Sequence, residues 1–133
     1  MEITDSIQVL MNNTEQNVQL DIFRENGQVL MQVYKQKDVT KWELGVELVD
    51  KNGFVIEITF HPNKSKNKEN IKRFLESELY KKFNKYDSIE QNSYFIGIPS
   101  NWNIKNIEDI ILKILSDIFN MKIKNIHFTL NAY

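Results

Sequence analysis

Alternating apolar positions near the start of the chain predict a β-hairpin. Residues 18–23 and 28–34 carry apolar side chains at alternate positions and flank the dipeptide Asn26-Gly27. Asn-Gly is typical of a two-residue hairpin loop, because both of its residues adopt a positive φ there. The loop and the apolar pattern agree on one register, which places the apolar side chains on a single face of the sheet. In this register Ile22 pairs with Met31 and Leu20 pairs with Val33.

A second hairpin is predicted by residues 42–49 and 54–61, which flank Asn52-Gly53. A two-residue loop would place the apolar Leu48 opposite Glu57. A three-residue loop, with Gly53 left-handed in a β-bulge, restores apolar pairs along the whole hairpin. We therefore predict the bulged loop. In it Leu48, Val46 and Leu44 face Ile56, Ile58 and Phe60.

Two later segments show the spacing of amphipathic helices, with apolar residues three and four positions apart. The first follows a helix cap at Ser65 or Asn67, and the second follows a cap at Asn103 or Asn106. The apolar stripe of the first helix comprises Ile71, Phe74, Leu75, Leu79 and Phe83. The stripe of the second comprises Ile107, Ile110, Ile111, Ile114, Leu115, Ile118 and Phe119. We expect both stripes to pack against the sheet.

The remaining segments are short and complete the predicted fold. Residues 94–98 and 126–130 have the pattern of strands, whereas residues 1–17 fit either a short helix or a strand over residues 7–11. Hairpins that precede the helices favour an α+β fold over a doubly wound parallel sheet. We predict a single α+β domain over residues 1–133. Its mostly antiparallel sheet is built from two β-hairpins plus later strands, with two amphipathic helices packed on one face.

Composition limits the classes of function. The chain of 133 residues contains no cysteine, which excludes disulfides and thiolate metal sites. No apolar run approaches the roughly 18 residues that a membrane span requires, and the acidic start of the chain lacks the pattern of a signal peptide. We therefore expect a soluble cytoplasmic protein without a membrane partner. The abundance of isoleucine, asparagine and lysine indicates an AT-rich coding sequence, such as that of a low-GC bacterium or phage.

The net charge of −1 hides an uneven distribution along the chain. Residues 1–60 hold five Lys or Arg against ten Asp or Glu, whereas residues 61–86 hold eight against three. Such a charge dipole can steer a charged partner. In the predicted second hairpin Glu47 stands opposite Glu57, and these like charges repel each other. A lysine from elsewhere in the chain, an arginine of a partner, a divalent cation or a raised carboxylate pKa would offset that repulsion.

The leading hypothesis is therefore a small non-enzymatic protein-binding module. A bacterial immunity protein or a phage-type inhibitor would have this size and this lack of motifs, and it would act through its acidic sheet face on a basic protein surface. The partner-binding residues in this hypothesis are Glu43, Glu47, Glu57, His61 and Trp102. It requires no cofactor, and it leaves open whether the protein is a monomer or a homodimer.

Two alternatives stay open. The first is a nucleic-acid-binding module that uses the basic helix over residues 64–85. Its contact residues are Lys64, Lys68, Lys72, Arg73, Lys81 and Lys82. The second is a metal-dependent enzyme built on Glu47, Glu57 and His61, which are residue types that serve as ligands or as acid–base groups. The pattern of a restriction-type nuclease is broken, because Thr59 stands where that pattern requires a lysine.

Overall fold

The structure, a computed structural model, describes residues 3–12, 18–24, 27–36, 52–60, 65–82, 84–87 and 92–132. The helices are α1 (Ile3–Asn12), α2 (Ser65–Glu76) and α3 (Ile104–Asp117). The strands are β1 (Val18–Arg24), β2 (Val29–Lys35), β3 (Phe54–Phe60), β4 (Asn84–Asp87), β5 (Asn92–Ile98) and β6 (Ile126–Ala132). Short 3-10 helices cover Glu78–Lys82 and Ile123–Asn125. Within these ranges no helix is long and apolar enough to cross a membrane.

The strands form one six-stranded sheet in the order β4-β5-β3-β2-β1-β6, and every neighbouring pair is antiparallel. The α+β class is therefore confirmed. The helical alternative for the first element is also confirmed, as are the strands predicted around residues 94–98 and 126–130. Strand β4 was not predicted, because its four residues lack the apolar alternation that indicates a strand.

The register of the first hairpin is confirmed, but its two-residue loop is wrong. Ile22 pairs with Met31 as predicted. The Arg24 amide donates to the Gln28 carbonyl at 2.9 Å, and the Gly27 amide donates to the Arg24 carbonyl at 2.9 Å. Gly27 has a φ of +85°. These features belong to a three-residue loop that ends in a left-handed glycine, and the register shift between Ile22 and Phe23 accommodates the extra residue.

The predicted second hairpin is wrong in its pairing. Strand β3 lies between β2 and β5, so that Ile56 pairs with Val33 on one side and Ile96 on the other. No hydrogen-bonding edge of β3 is left there for residues 42–49, which lie outside the described residues. Gly53 does not have the predicted positive φ. It is needed for a close approach instead, because an added Cβ would lie 2.2 Å from the carbonyl oxygen of Ile98.

All three helices pack on one face of the sheet, where they bury the apolar side chains of alternate strand positions. An aromatic cluster joins α2 to the sheet, with ring centroids 5.7 Å apart for Phe60 and Phe74 and 4.7 Å apart for Phe74 and Tyr94. Helix α3 begins at an Asn103 capping box and buries most of its predicted stripe. Leu75 departs from prediction, since it is 45% exposed where α2 ends.

Candidate functional site

Glu57 does not face another acidic residue across the sheet. Its neighbours in the strands on either side are Gln32 and Phe95. The side chain is half-buried, and its Oε1 lies 3.0 Å from the hydroxyl oxygen of Tyr34. The predicted pairing of Glu47 with Glu57 is therefore wrong, because Gln32 and Phe95 occupy the positions directly opposite Glu57.

Glu57 instead belongs to a polar network that crosses four strands on the sheet face opposite the helices. Gln19 and Gln32 each donate a side-chain amide hydrogen to Asp21 Oδ1, at 2.8 and 2.7 Å. Asn131 donates to the other oxygen of this carboxylate. The Tyr34 hydroxyl lies 2.5 Å from Oε1 of Gln32 and links this group to Glu57. The network gives the half-buried polar groups partners within the protein.

This sheet face is not an open acidic surface over the residues that the structure describes. Val55 and Phe95, which flank the network, are fully buried, and Tyr34 is 4% exposed. Glu43, Glu47 and His61 lie outside the described residues. The binding role of these three residues, and a metal site that includes two of them, therefore stay predictions.

Trp102 lies in the loop between β5 and α3, as predicted, and its side chain is half-buried against the core. Its amide donates to the Pro99 carbonyl at 3.2 Å, which closes the turn. The indole lines a cavity of about 390 Å³ together with Leu79 and Ile110. The part of Trp102 that solvent can reach is therefore limited, and its role as a partner anchor stays a prediction.

The predicted basic helix is shorter than expected, because α2 ends at Glu76 and a 3-10 helix follows. Lys68, Lys72 and Lys81 are exposed, whereas Arg73 is half-buried. Lys82 ends the 3-10 helix, and Lys64 lies outside the described residues. The basic residues of this segment therefore do not form one face of a continuous helix.

Arg73 instead lines a cleft of about 570 Å³. The other basic residues that line this cleft come from other parts of the chain. Arg24 at the end of β1 and both Lys122 and Lys124 in the loop before β6 line the cleft with it. The remaining lining residues are Glu69, Asn70, Phe119, Asn120, Met121 and Asn125. Among the described residues, four cations therefore share this concave surface with one carboxylate, which gives this part of it an excess of positive charge.

Arg73 is held in place by two hydrogen bonds. Its Nε donates to the Ile118 carbonyl at 2.8 Å, which ties α2 to the end of α3. One terminal nitrogen of the guanidinium donates to Oδ1 of Asn70, one helical turn earlier on α2. The loop beyond Ile118 is fixed by its own backbone bonds, including a 3.0 Å bond from the Met121 amide to the Leu115 carbonyl. The guanidinium is thus oriented before any ligand arrives.

Two other polar groups of the cleft are buried without a hydrogen-bond partner among the described residues. Asn70 is 2% exposed, and its Nδ2 has no hydrogen-bond acceptor within the described part of the chain. The Nε of Arg24 is likewise buried and has no hydrogen-bond acceptor among the described residues. Burial also lowers the pKa of the Arg24 guanidinium, because desolvation penalises its charged form. The cleft therefore combines excess positive charge with hydrogen-bond donors that lack acceptors.

Of the residues that make this site, only Arg73 is among the contact residues predicted from the sequence. Arg24 carries no local signal, because its position follows from the pairing of β1 with β6. Lys122 and Lys124 follow the second amphipathic helix, and that doublet is the one signal that could have pointed to the cleft. No protein-family model matches the chain, and comparisons with curated proteins and with solved structures also found no match.

Proposed function

We propose that this protein binds nucleic acid and that a single strand lies in the cleft formed by α2, the end of β1 and the loop before β6. The observation that carries this proposal is the convergence of Arg24, Arg73, Lys122 and Lys124 on one concave surface. Phosphate contacts by Lys and Arg dominate the affinity of proteins for nucleic acids. A local excess of cations supports such binding even though the net charge of the whole chain is −1.

The chemistry of the remaining lining residues suits a nucleotide. Asn120 and Asn125 offer exposed side-chain amides that can donate to and accept from base edges. Met121 is half-buried and offers an apolar surface for a base. The volume of about 570 Å³ falls within the range of pockets that hold small ligands. A single strand fits this arrangement better than a duplex, because its bases are free to enter a cleft.

The test uses two double variants that remove the same charge. Lys122→Gln with Lys124→Gln changes the cleft, whereas Lys68→Gln with Lys72→Gln changes exposed lysines of α2 that do not line it. Binding of a short fluorescein-labelled single-stranded oligonucleotide is followed by anisotropy between about 50 and 200 mM salt. We expect the wild-type protein to bind more weakly as the salt concentration rises. The slope of the logarithm of the binding constant against the logarithm of the salt concentration should be smaller in magnitude by about 1.4 for the cleft variant, or about 0.7 for each lost phosphate contact.

Two results would overturn the proposal. One is the absence of saturable binding by the wild-type protein at the lowest salt concentration. The other is equal salt slopes for the two double variants, because a general electrostatic attraction would not distinguish lysines in the cleft from lysines outside it.

A further inference from the structure

The two unpartnered donors in the cleft call for a physical explanation. Folded proteins pair nearly all of their buried polar groups, and an unpaired buried donor costs free energy. Here two such donors, Asn70 Nδ2 and Arg24 Nε, belong to side chains that line the same cleft. Their positions on α2 and at the end of β1 are separated by 46 residues of sequence and come together only in the fold. A ligand that brings acceptors to both donors would remove both costs.

The orientation of Asn70 leaves its donor to a ligand. Its Oδ1 accepts a hydrogen bond from the Arg73 guanidinium, which has no acceptor of its own. A flipped amide would place Nδ2 against that cation, so the chemistry fixes Oδ1 towards Arg73 and Nδ2 away from it. The side chain is 2% exposed and cannot turn freely to find water. A ligand at Nδ2 must therefore bring an acceptor into the cleft.

We infer that this cleft seats a phosphomonoester, the terminal phosphate of a nucleotide or of a strand, between Arg24, Asn70 and Arg73. The inference rests on the proposed function and names the group that the cleft recognises. A phosphomonoester carries a charge of about −1.5 to −2 at neutral pH, with three strong acceptor oxygens. Two guanidiniums match that charge, whereas a phosphodiester within a strand carries only one negative charge. The planar donor sets of arginine also suit the geometry of phosphate oxygens.

The experiment compares oligonucleotides of one sequence that differ only at their ends. One carries a 5′-phosphate, one carries a 3′-phosphate, and one ends in hydroxyl groups at both ends. Calorimetry gives the Kd of each, and a nucleoside monophosphate serves as the free-nucleotide probe. We expect about tenfold tighter binding of at least one phosphorylated strand, which corresponds to one additional charge-assisted set of hydrogen bonds. Binding of the monophosphate on its own would identify the free nucleotide as a second source of the same group.

Two variants test the donors through the preference for a terminal phosphate, which is the ratio of the Kd of the hydroxyl-ended strand to the Kd of the phosphorylated strand. Asn70→Asp keeps the acceptor for Arg73 but replaces the Nδ2 donor with an oxygen, so the preference for a terminal phosphate should disappear. Asn101→Asp makes the same charge change at an exposed position outside the cleft and should keep the preference. Arg24→Lys keeps the charge, lacks Nε, and should also lose the preference. It gives an independent answer if Asn70→Asp does not fold.

The outcomes separate the inference from the proposed function. Equal Kd values for the phosphorylated and hydroxyl-ended strands, with salt-dependent binding of both, would overturn the inference and leave the proposed function standing. Binding of the nucleoside monophosphate without binding of any strand would overturn the proposed function and support the phosphate site. A preference that survives in both Asn70→Asp and Arg24→Lys would show that these donors do not hold the phosphate.

Discussion

Removal of the Asp21 carboxylate should destabilise the sheet far more than the loss of an exposed acidic residue. Asp21 is 9% exposed and accepts hydrogen bonds from Gln19, Gln32 and Asn131. A hydrogen bond to a charged group contributes about 1.5–3 kcal/mol, and donors left unpaired in a buried site add the cost of their desolvation. Some of these amides can regain water, so we expect Asp21→Ala to lower the free energy of unfolding by about 3 kcal/mol.

The loss is measured by urea denaturation, followed by circular dichroism. In a domain of this size 1 kcal/mol corresponds to about 4 °C in Tm, so the melting temperature should fall by about 12 °C. Asp21→Asn should lose less, about 1–2 kcal/mol, because it keeps the volume and one acceptor. The matched control is Asp109→Ala, which removes a solvent-exposed 2.9 Å ion pair with Lys105.

We expect no measurable change in that control, because exposed ion pairs contribute little to stability. If Asp21→Ala were no less stable than Asp109→Ala, the network would not help to hold the four strands together, and the reasoning from its hydrogen bonds would be refuted.

Three further changes test other parts of the fold by thermal melting. Gly53→Ala places a Cβ 2.2 Å from a backbone carbonyl and should cost about 1–3 kcal/mol; a loss below about 0.5 kcal/mol, as at an ordinary surface position, would contradict the close approach. Gly27→Ala meets open space and should cost about 1–2 kcal/mol through its positive φ alone. Phe60→Ala opens a cavity beside three aromatic rings and should cost about 3–5 kcal/mol; a loss below 1 kcal/mol would mean that the cluster is not packed as described. Asn103→Ala removes the capping box of α3 and should cost about 1 kcal/mol, and an unchanged Tm would show that the cap contributes nothing.

Local patterns predicted those elements whose structure depends on neighbours in sequence. The stripe of α3 and the register around Ile22 follow from periodicity, and the structure confirms both. The predicted pairing of the second hairpin was wrong because an Asn-Gly dipeptide indicates only a local preference for a turn. The choice of β2 and β5 as partners of β3 depends on contacts far apart in the chain, which one sequence does not display.

The candidate site was harder to predict for the same reason. The sequence predicts Arg73 as a contact residue because it lies in a basic stretch, yet its exposed neighbours Lys68 and Lys72 do not line the cleft. Arg24 and Lys124 reach the site through the pairing of β1 with β6 and the loop before β6. The Asp21 network was also invisible in the sequence, because its members lie on four strands and meet only after the sheet has formed.

The claim that the cleft is the binding site is tested most directly by nuclear magnetic resonance. Isotope-labelled protein is titrated with the single-stranded oligonucleotide, and shifts are mapped for backbone amides and for the side-chain signals of Asn70 Nδ2 and Arg24 Nε. The account predicts that saturable shifts cluster on Arg24, on residues 69–73 and on residues 119–125, and that these two side-chain signals are among them. Shifts confined to other surfaces, such as the exposed face of α3, or no shifts at all, would contradict it.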